Sequence, residues 1–518
     1  YSFTMFVGRT LRLAQVLLIV APTFILYGYN QAGIGPLSTL QTWVHTFPEI
    51  DSVNTTGELQ SQNSTKKGTV IASFQLGALV GALSCIYSGE RLGRRKPIFI
   101  GAILTIVGQV LQSASYGIIQ FTIGRVILGL GVGQFSVAVP VWQTESSSAK
   151  NRGQHVVVDG ICICLGYVLC NWIDFGLSMT SGDLQWRVPL GISVIFSLVV
   201  LGSVFLIPES PRWLVLVGQV DKATHSLAAY RGLSPDDETV RAEIDEIQLS
   251  LEMTTGSPKS LVQEVIFGED KDRLIYRFCL CIALQFFQQM CGGNLISTYV
   301  STIFAQNLKM STELSQILAA CALTWKFLCN FIPFFTIDRI GRRKVFMISG
   351  AGMCVCMTVL AITSSFGTTS KSASIASAVF VFLFNTFYPI GFSGANFLYC
   401  TEVAPIRLRG AMSAMSTANH WLWNFVVVMI TPVALDTIGY RYYIIYIVIS
   451  ACIPVSVYLF YPETMNCNLE ALGHVFRDSP SPWNIVATAR TLSQREGAEL
   501  DMWIESEEKV VVEQKENA

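Results

Sequence analysis

The sequence predicts an all-α membrane protein: twelve transmembrane helices in two repeated six-helix halves. Three observations predict it: the composition, the spacing of uncharged runs, and an internal repeat. Of 518 residues, 51% are hydrophobic and only 14% charged, with a mean hydropathy of +0.47. A soluble domain carries about 25% charged residues, so this chain lacks the polar skin a water-soluble protein of its size needs. The net charge of −1 gives no electrostatic footprint for nucleic acid. The fourteen cysteines lie mostly inside apolar runs, as Cys162, Cys164, Cys279, Cys281, Cys354 and Cys356 do, and read as packing residues without disulfide or zinc spacing.

A helix crosses the bilayer with about 20 mostly apolar residues. Runs that meet this requirement fall near 13–34, 68–88, 97–116, 121–143, 154–176 and 188–207. After a hydrophilic interval they resume near 275–303, 314–337, 345–365, 375–400, 411–433 and 441–461. The first run is too long for a signal peptide and lacks a cleavage pattern, so it counts as a span. The expected organisation is an N-terminal half (1–207), a cytoplasmic linker with short helices (208–270), a C-terminal half (271–461) and a cytoplasmic tail (462–518). The chain starts at Tyr1 without a methionine, and a preceding stretch is expected.

Orientation follows the short loops rich in Lys and Arg. Arg91, Arg94, Arg95 and Lys96 lie between spans two and three, and Arg339, Arg342, Arg343 and Lys344 between spans eight and nine. Lys150 with Arg152 and Arg407 with Arg409 mark two further loops of the same side. That side, with both termini, is expected to be cytoplasmic, and the protein to reside in the plasma membrane. The first opposite-side loop carries two glycosylation sequons, at Asn54 and Asn63, which agrees with this orientation.

The halves repeat. ERLGRRK at 90–96 returns as DRIGRRK at 338–344, ESSSAKNRG at 145–153 as EVAPIRLRG at 402–410, and PES at 208–210 as PET at 462–464. Each copy returns about 250 residues later, in the same order. A parallel repeat of six spans places a substrate site between the halves at mid-membrane.

With GRVILGLGVG at 124–133, PESPRWL at 208–214 and QFFQQMCGGN at 285–294, these motifs resemble the sugar porter branch of the major facilitator superfamily along nearly the whole chain. The resemblance implies the major facilitator fold, sugar transport by alternating access, a monomeric functional unit in the lipid bilayer, and no enzymatic activity. No phosphate-binding loop is present, the five histidines have no metal-ligand spacing, and neither cofactor nor metal is expected.

The repeated charges Glu90, Arg94, Glu145, Arg152 and Glu209 mirror Asp338, Arg342, Glu402, Arg409 and Glu463. Topology explains the arginines, yet carboxylates contribute little to it. The repeat of both signs predicts ion pairs across helix ends that hold the cytoplasmic gate shut.

In span seven, Gln285, Gln288 and Gln289 share a helix face beside Gly292, Gly293 and Asn294. Amides both donate and accept, as sugar hydroxyls do, and the glycine pair predicts a broken helix lining the site. The alternative is amide glue between helices. In the resembling family the positions of Gln288, Gln289 and Asn294 contact sugar. Span eleven supplies Trp421 as a flat ring and Asn424 as a hydrogen-bonding arm, with His420 where relatives carry Asn and Trp423 as packing. Span ten offers Asn396 beside Phe397, where the family has Trp.

Departures from the family pattern bear on coupling. Asn30 stands where proton-coupled members carry Asp, near Arg125 of span four. Gly160 replaces a family glutamine, with the carboxylate Asp159 next to it, and Lys326 replaces an amide in span eight. Arg125, Asp159 and Lys326 are expected to be the buried charges, with Asp159 pairing with one of the cations. A paired Asp159 favours a facilitator, whereas a proton-carrying Asp159 makes a symporter. The expected substrates, in order, are a neutral monosaccharide, another polyol or disaccharide, and a sugar acid or quinate paired with Lys326. A non-transporting nutrient sensor on the same scaffold is the alternative of another class, and the short polar tail argues against it.

Overall fold

The structure is a computed structural model, and it describes residues 6–38, 40–51, 54–147, 152–252, 273–307, 311–366, 371–405, 409–465, 475–477, 479 and 481–489. Among these residues, twelve helical stretches are long and apolar enough to cross a membrane. In the N-terminal half they are spans one (Arg9–Leu37), two (Gly57–Gly89), three (Arg95–Ser113), four (Ile118–Ser146), five (Val157–Ser178) and six (Leu184–Ser203). In the C-terminal half they are spans seven (Leu274–Ala305), eight (Glu313–Ile337), nine (Arg342–Ser365), ten (Ser372–Val403), eleven (Gly410–Thr437) and twelve (Gly439–Phe460). Every run expected from hydropathy corresponds to one of them.

Two departures from a simple hydropathic rod bear on the site and its gates. The helix of span two starts at Gly57, well before its apolar core, and continues to Leu92. Hydropathy detects only the bilayer-crossing part, whereas the polar first turns persist because their side chains find partners: Asn63 donates to the Asp51 carbonyl at 2.8 Å and Ser64 to Asp436 at 2.5 Å. Span seven breaks where the glycine pair predicts. Its first helix ends at Met290 and its second begins at Gly293, with Gly292 at a φ of +95°. A side chain at Gly293 would meet the Tyr388 ring, with Cβ 2.1 Å from it.

Each half packs its own core. Spans two and four, three and four, one and five, and three and six pair in the first half. Spans nine and ten, nine and twelve, and seven and eleven pair in the second. The halves meet mainly through spans two and eleven and through spans five and eight. These two seams are equivalent under exchange of the halves, as the sequence repeat requires.

Among the described residues, the linker forms three short helices, Pro211–Leu216, Val220–Arg231 and Glu238–Glu252. They share a small apolar core of Leu214, Ala223, Leu227, Val240 and Ile244, and Arg231 pairs with Glu243 at 2.5 Å. The chain just before span one is tied to them, since the Gly8 N–H donates to the Ala229 carbonyl at 2.7 Å. Of the tail, Phe476, Ile485 and Ala489 pack into the core of the second half.

Candidate substrate site and its gates

The expected site residues of spans seven, ten and eleven converge with span one at the centre of the molecule. His420 is the hub. Its Nδ1 lies 2.7 Å from Gln288 Oε1, 2.8 Å from Gln289 Nε2 and 3.3 Å from Gln285 Oε1, and its Nε2 lies 2.9 Å from the Tyr27 hydroxyl. With the proton on Nδ1, the ring donates to Gln288 and accepts from Tyr27. Asn294 donates to Gln289 and accepts from Gln31 Nε2 at 2.9 Å. Asn396 donates to Gln285 Oε1 at 3.2 Å, and Gln288 donates to the Phe392 carbonyl at 2.9 Å. The Tyr27–His420 and Gln31–Asn294 bonds join one half to the other.

Trp421 is fully buried, with its ring 5.0 Å from Tyr27, 5.4 Å from His420 and 5.8 Å from Phe74. Its indole donates to Ser136 at 3.1 Å, a further bond between halves. Asn424, one turn on, is fully buried, and both its amide atoms lack a partner. Trp423 packs on Phe286 with centroids 4.7 Å apart, as expected of a packing residue. Tyr27 and Gln31 escaped the sequence reading. Their signal was present, because Tyr27 lies one helical turn before both Asn30 and Gln31.

The buried charges sit apart from one another. Arg125 is held by backbone: it donates to the Ile71 carbonyl at 2.8 Å and to the Asn30 carbonyl at 3.4 Å, and lies 4.9 Å from the centre of the Phe74 ring. The Asn30 side chain turns away and donates to Leu26 within its own helix. Lys326 donates to Ser297 at 2.6 Å between the rings of Tyr388 and Tyr167. Asp159 faces Gln143 of span four, and its Oδ1 has no partner. The expected pairing of Asp159 with Arg125 or Lys326 is therefore corrected, since no ion pair among the described residues joins them. Spacing along one helix does not reveal which neighbouring helix faces a carboxylate, and carbonyls and rings took the cations instead. A second span-five carboxylate, Asp174, is also buried, beside Cys170 at 3.6 Å. The sequence reading counted only Asp159 among the carboxylates of this span and missed Asp174.

The charge clusters repeat in space as in sequence. Arg94 pairs bidentately with Glu145 at 2.6 and 2.9 Å, and Arg342 pairs with Glu402 at 3.2 Å. Glu209 accepts the N–H groups of Arg94 and Arg95, and Glu463 those of Arg342 and Arg343. Burial pushes the Glu209 carboxyl above its ordinary value, opposed by those N–H donors and that of Ser210. Each described pair joins helices of one half, so these pairs brace helix ends without bridging the halves. The side chains of Glu90, Arg152, Asp338 and Arg409 lie outside the described residues.

The halves do touch on both sides of the centre. Toward the charge-cluster end, spans five and ten approach until a Cβ at Gly160 would stand 2.3 Å from the Ser393 carbonyl. Toward the other end, Gly35 meets the Thr298 carbonyl and Gly68 the Met429 carbonyl, at 2.3 and 2.4 Å from their ideal Cβ positions. Ser64 and Asp436 close the same end by a 2.5 Å hydrogen bond. The two sequons part company here: Asn54 is exposed, whereas Asn63 is buried on span two with its amide engaged.

Twelve spans in two repeated halves, with a polar cluster between them and closure on either side, define a transporter of the major facilitator fold. The chain belongs to the sugar (and other) transporter family, whose sequence model matches residues 16–476. It is 31% identical over 481 residues to the sugar transporter STL1 of Saccharomyces cerevisiae, covering 91% of this chain and 83% of that protein. It is 27% identical over 493 residues to the high-affinity fructose transporter ght6 of Schizosaccharomyces pombe, covering 92% and 90%. Its fold is similar to that of the proton:xylose symporter XylE bound to 6-bromo-6-deoxy-D-glucose, with a TM-score of 0.76 at 22% identity over 90% of this chain and 99% of that one. It also matches a partially occluded inward-open XylE from E. coli, with a TM-score of 0.71 at 20% identity over 88% and 98%. These relatives are transporters, and the chain is a membrane carrier rather than an enzyme.

Proposed function

We propose that the protein moves a monosaccharide across the membrane by alternating access, as a facilitator without obligatory proton coupling. One observation carries the reading: the amide and imidazole cluster of Gln288, Gln289, Asn294 and His420 reaches across to Tyr27 and Gln31 of the other half. A polyhydroxylated ligand that takes over those hydrogen bonds changes the contact between the halves, which is how binding biases the equilibrium. Relatives named for fructose, galactose and glucose transport support a monosaccharide. In this reading the charge-cluster end is cytoplasmic, both termini lie there, Asn54 is the glycan acceptor, and one chain in the plasma membrane is the working unit.

The facilitator reading rests on Asn30, an amide that cannot carry a proton, beside Arg125. A second reading has a specific observation behind it. Among the described residues Asp159 has no cation partner, which leaves it able to carry a proton between the sides, and the protein would then be a symporter. Uptake of labelled hexoses in yeast lacking its own hexose carriers, with and without a protonophore, separates the two. Facilitation equilibrates substrate and ignores the protonophore, whereas symport accumulates substrate and collapses with it.

A further inference from the structure

Lys326 lies next to the central cluster and Asn385 on span ten, which borders it, and the fold explains neither. Lys326 is 3% exposed, and its ammonium has one hydroxyl, Ser297, and two aromatic rings for company. Among the described residues no carboxylate pairs with it, and its ionisable neighbours on the packed spans are the thiols of Cys164 and Cys291. A cation in a membrane interior without a counter-charge is costly, and by default it marks a pathway or a ligand. Asn385 of span ten is 1% exposed, and among the described residues neither polar atom of its amide has a partner. Burying an amide without hydrogen bonds is costly as well.

Helical geometry tells where Asn385 looks. Residues 385 and 392 fall on one face of the helix Lys371–Phe392, which precedes the break of span ten at Ser393 and Gly394. That face meets span seven, because the Phe392 carbonyl accepts from Gln288. Tyr388 borders the same face, and its ring lies against Gly293 and 4.4 Å from the Lys326 ammonium. Asn385 therefore stands on the site-facing side, about two turns from Phe392 toward the Ser64–Asp436 end. An ammonium and an amide with hydrogen bonds still to make, beside a cluster of sugar-type amides, suit a group that is anionic and rich in acceptor oxygens.

We propose that Lys326 and Asn385 form a subsite for a carboxylate, so that the preferred substrate is a monosaccharide acid. This rests on the span-seven cluster being the sugar site. Lys326 supplies the counter-charge, Asn385 a directed N–H, and the span-seven amides hold the hydroxyls.

The test is uptake of labelled D-glucose, D-gluconate and D-galacturonate by proteoliposomes of the parent and of Lys326→Gln, Lys326→Arg, Asn385→Ala and Gln288→Ala, with equal incorporation verified. The expected result is uptake of at least one acid. Lys326→Gln should reduce it tenfold or more, Lys326→Arg should partly retain it, and Asn385→Ala should raise its KM several-fold. In Lys326→Gln, uptake of the acid should fall more than uptake of glucose does. Parent protein that carries glucose while neither acid is transported or competes overturns the carboxylate subsite and leaves the sugar site standing. Acid uptake unaffected by Lys326→Gln and Asn385→Ala also overturns it. Uptake unchanged in Gln288→Ala removes the underlying reading instead.

Discussion

Glu209 and Glu463 perform the same task in the two halves of the molecule. Glu209 accepts the N–H groups of Arg94 and Arg95 at 3.1 and 3.2 Å, and Glu463 those of Arg342 and Arg343 at 2.9 and 3.2 Å. Both carboxylates cap a helix that begins at its arginine pair, namely spans three and nine. Negative charge at a helix N-terminus is stabilising, and loss of a cap costs about 1 kcal/mol. Glu209→Ala and Glu463→Ala should each lower the unfolding temperature of the detergent-solubilised protein, with the Gln variants intermediate. Equal melting of parent and both Ala variants would show that these carboxylates brace nothing.

The span-seven amides lead to a second prediction. Gln288 bonds both His420 and the Phe392 carbonyl, and Asn294 bonds Gln289 and Gln31. Losing one hydrogen bond to substrate costs about 1 kcal/mol, roughly fivefold in affinity. Gln288→Ala and Asn294→Ala should raise KM at least that much while surface expression persists. Unchanged KM in both variants would take span seven out of the site.

Closure at the Asn54 end can be trapped. Ser64 and Asp436 belong to opposite halves and lie 2.5 Å apart. Oxidative cross-linking of Ser64→Cys with Asp436→Cys should stop transport, and reduction should restore it. Transport by fully cross-linked protein would mean that this contact need not open during turnover.

Coupling is tested at Asp159. In a facilitator, Asp159→Asn should keep equilibrative uptake within about threefold of the parent, because the substitution preserves shape and hydrogen-bonding capacity. Parent uptake should ignore a protonophore. If the parent concentrates substrate, and Asp159→Asn keeps exchange but loses accumulation, Asp159 carries the coupling proton.

Much of this architecture was legible in the chain. All twelve spans followed from apolar runs, and the repeat marked Glu209 and Glu463 as counterparts, although as members of gate ion pairs and not as the helix caps they form. The break in span seven followed from the glycine pair, and Gly292 stands at a φ of +95°, which strains any residue but glycine. Lateral neighbours were not legible. Hydropathy marks which residues are in the membrane but not which helix each one faces, so Asp159 was expected beside a cation and lies beside Gln143. Polar helical turns outside the bilayer also escaped, which is why Asn63 was placed in a loop although it is buried on span two. His420 was weighed as one candidate among several. Its position as the hub joining Tyr27 to three glutamines required three dimensions.

The central claim is that a monosaccharide, neutral or acidic, exchanges through the cluster around Gln288 and His420. Counterflow in proteoliposomes tests it most directly: vesicles are preloaded with unlabelled sugar or sugar acid, and entry of the labelled form is followed. The parent should show transient uphill entry of label, and Gln288→Ala should lose most of it at the same substrate concentration. Absence of counterflow with every monosaccharide and acid offered, in protein that is folded and correctly inserted, would contradict the account.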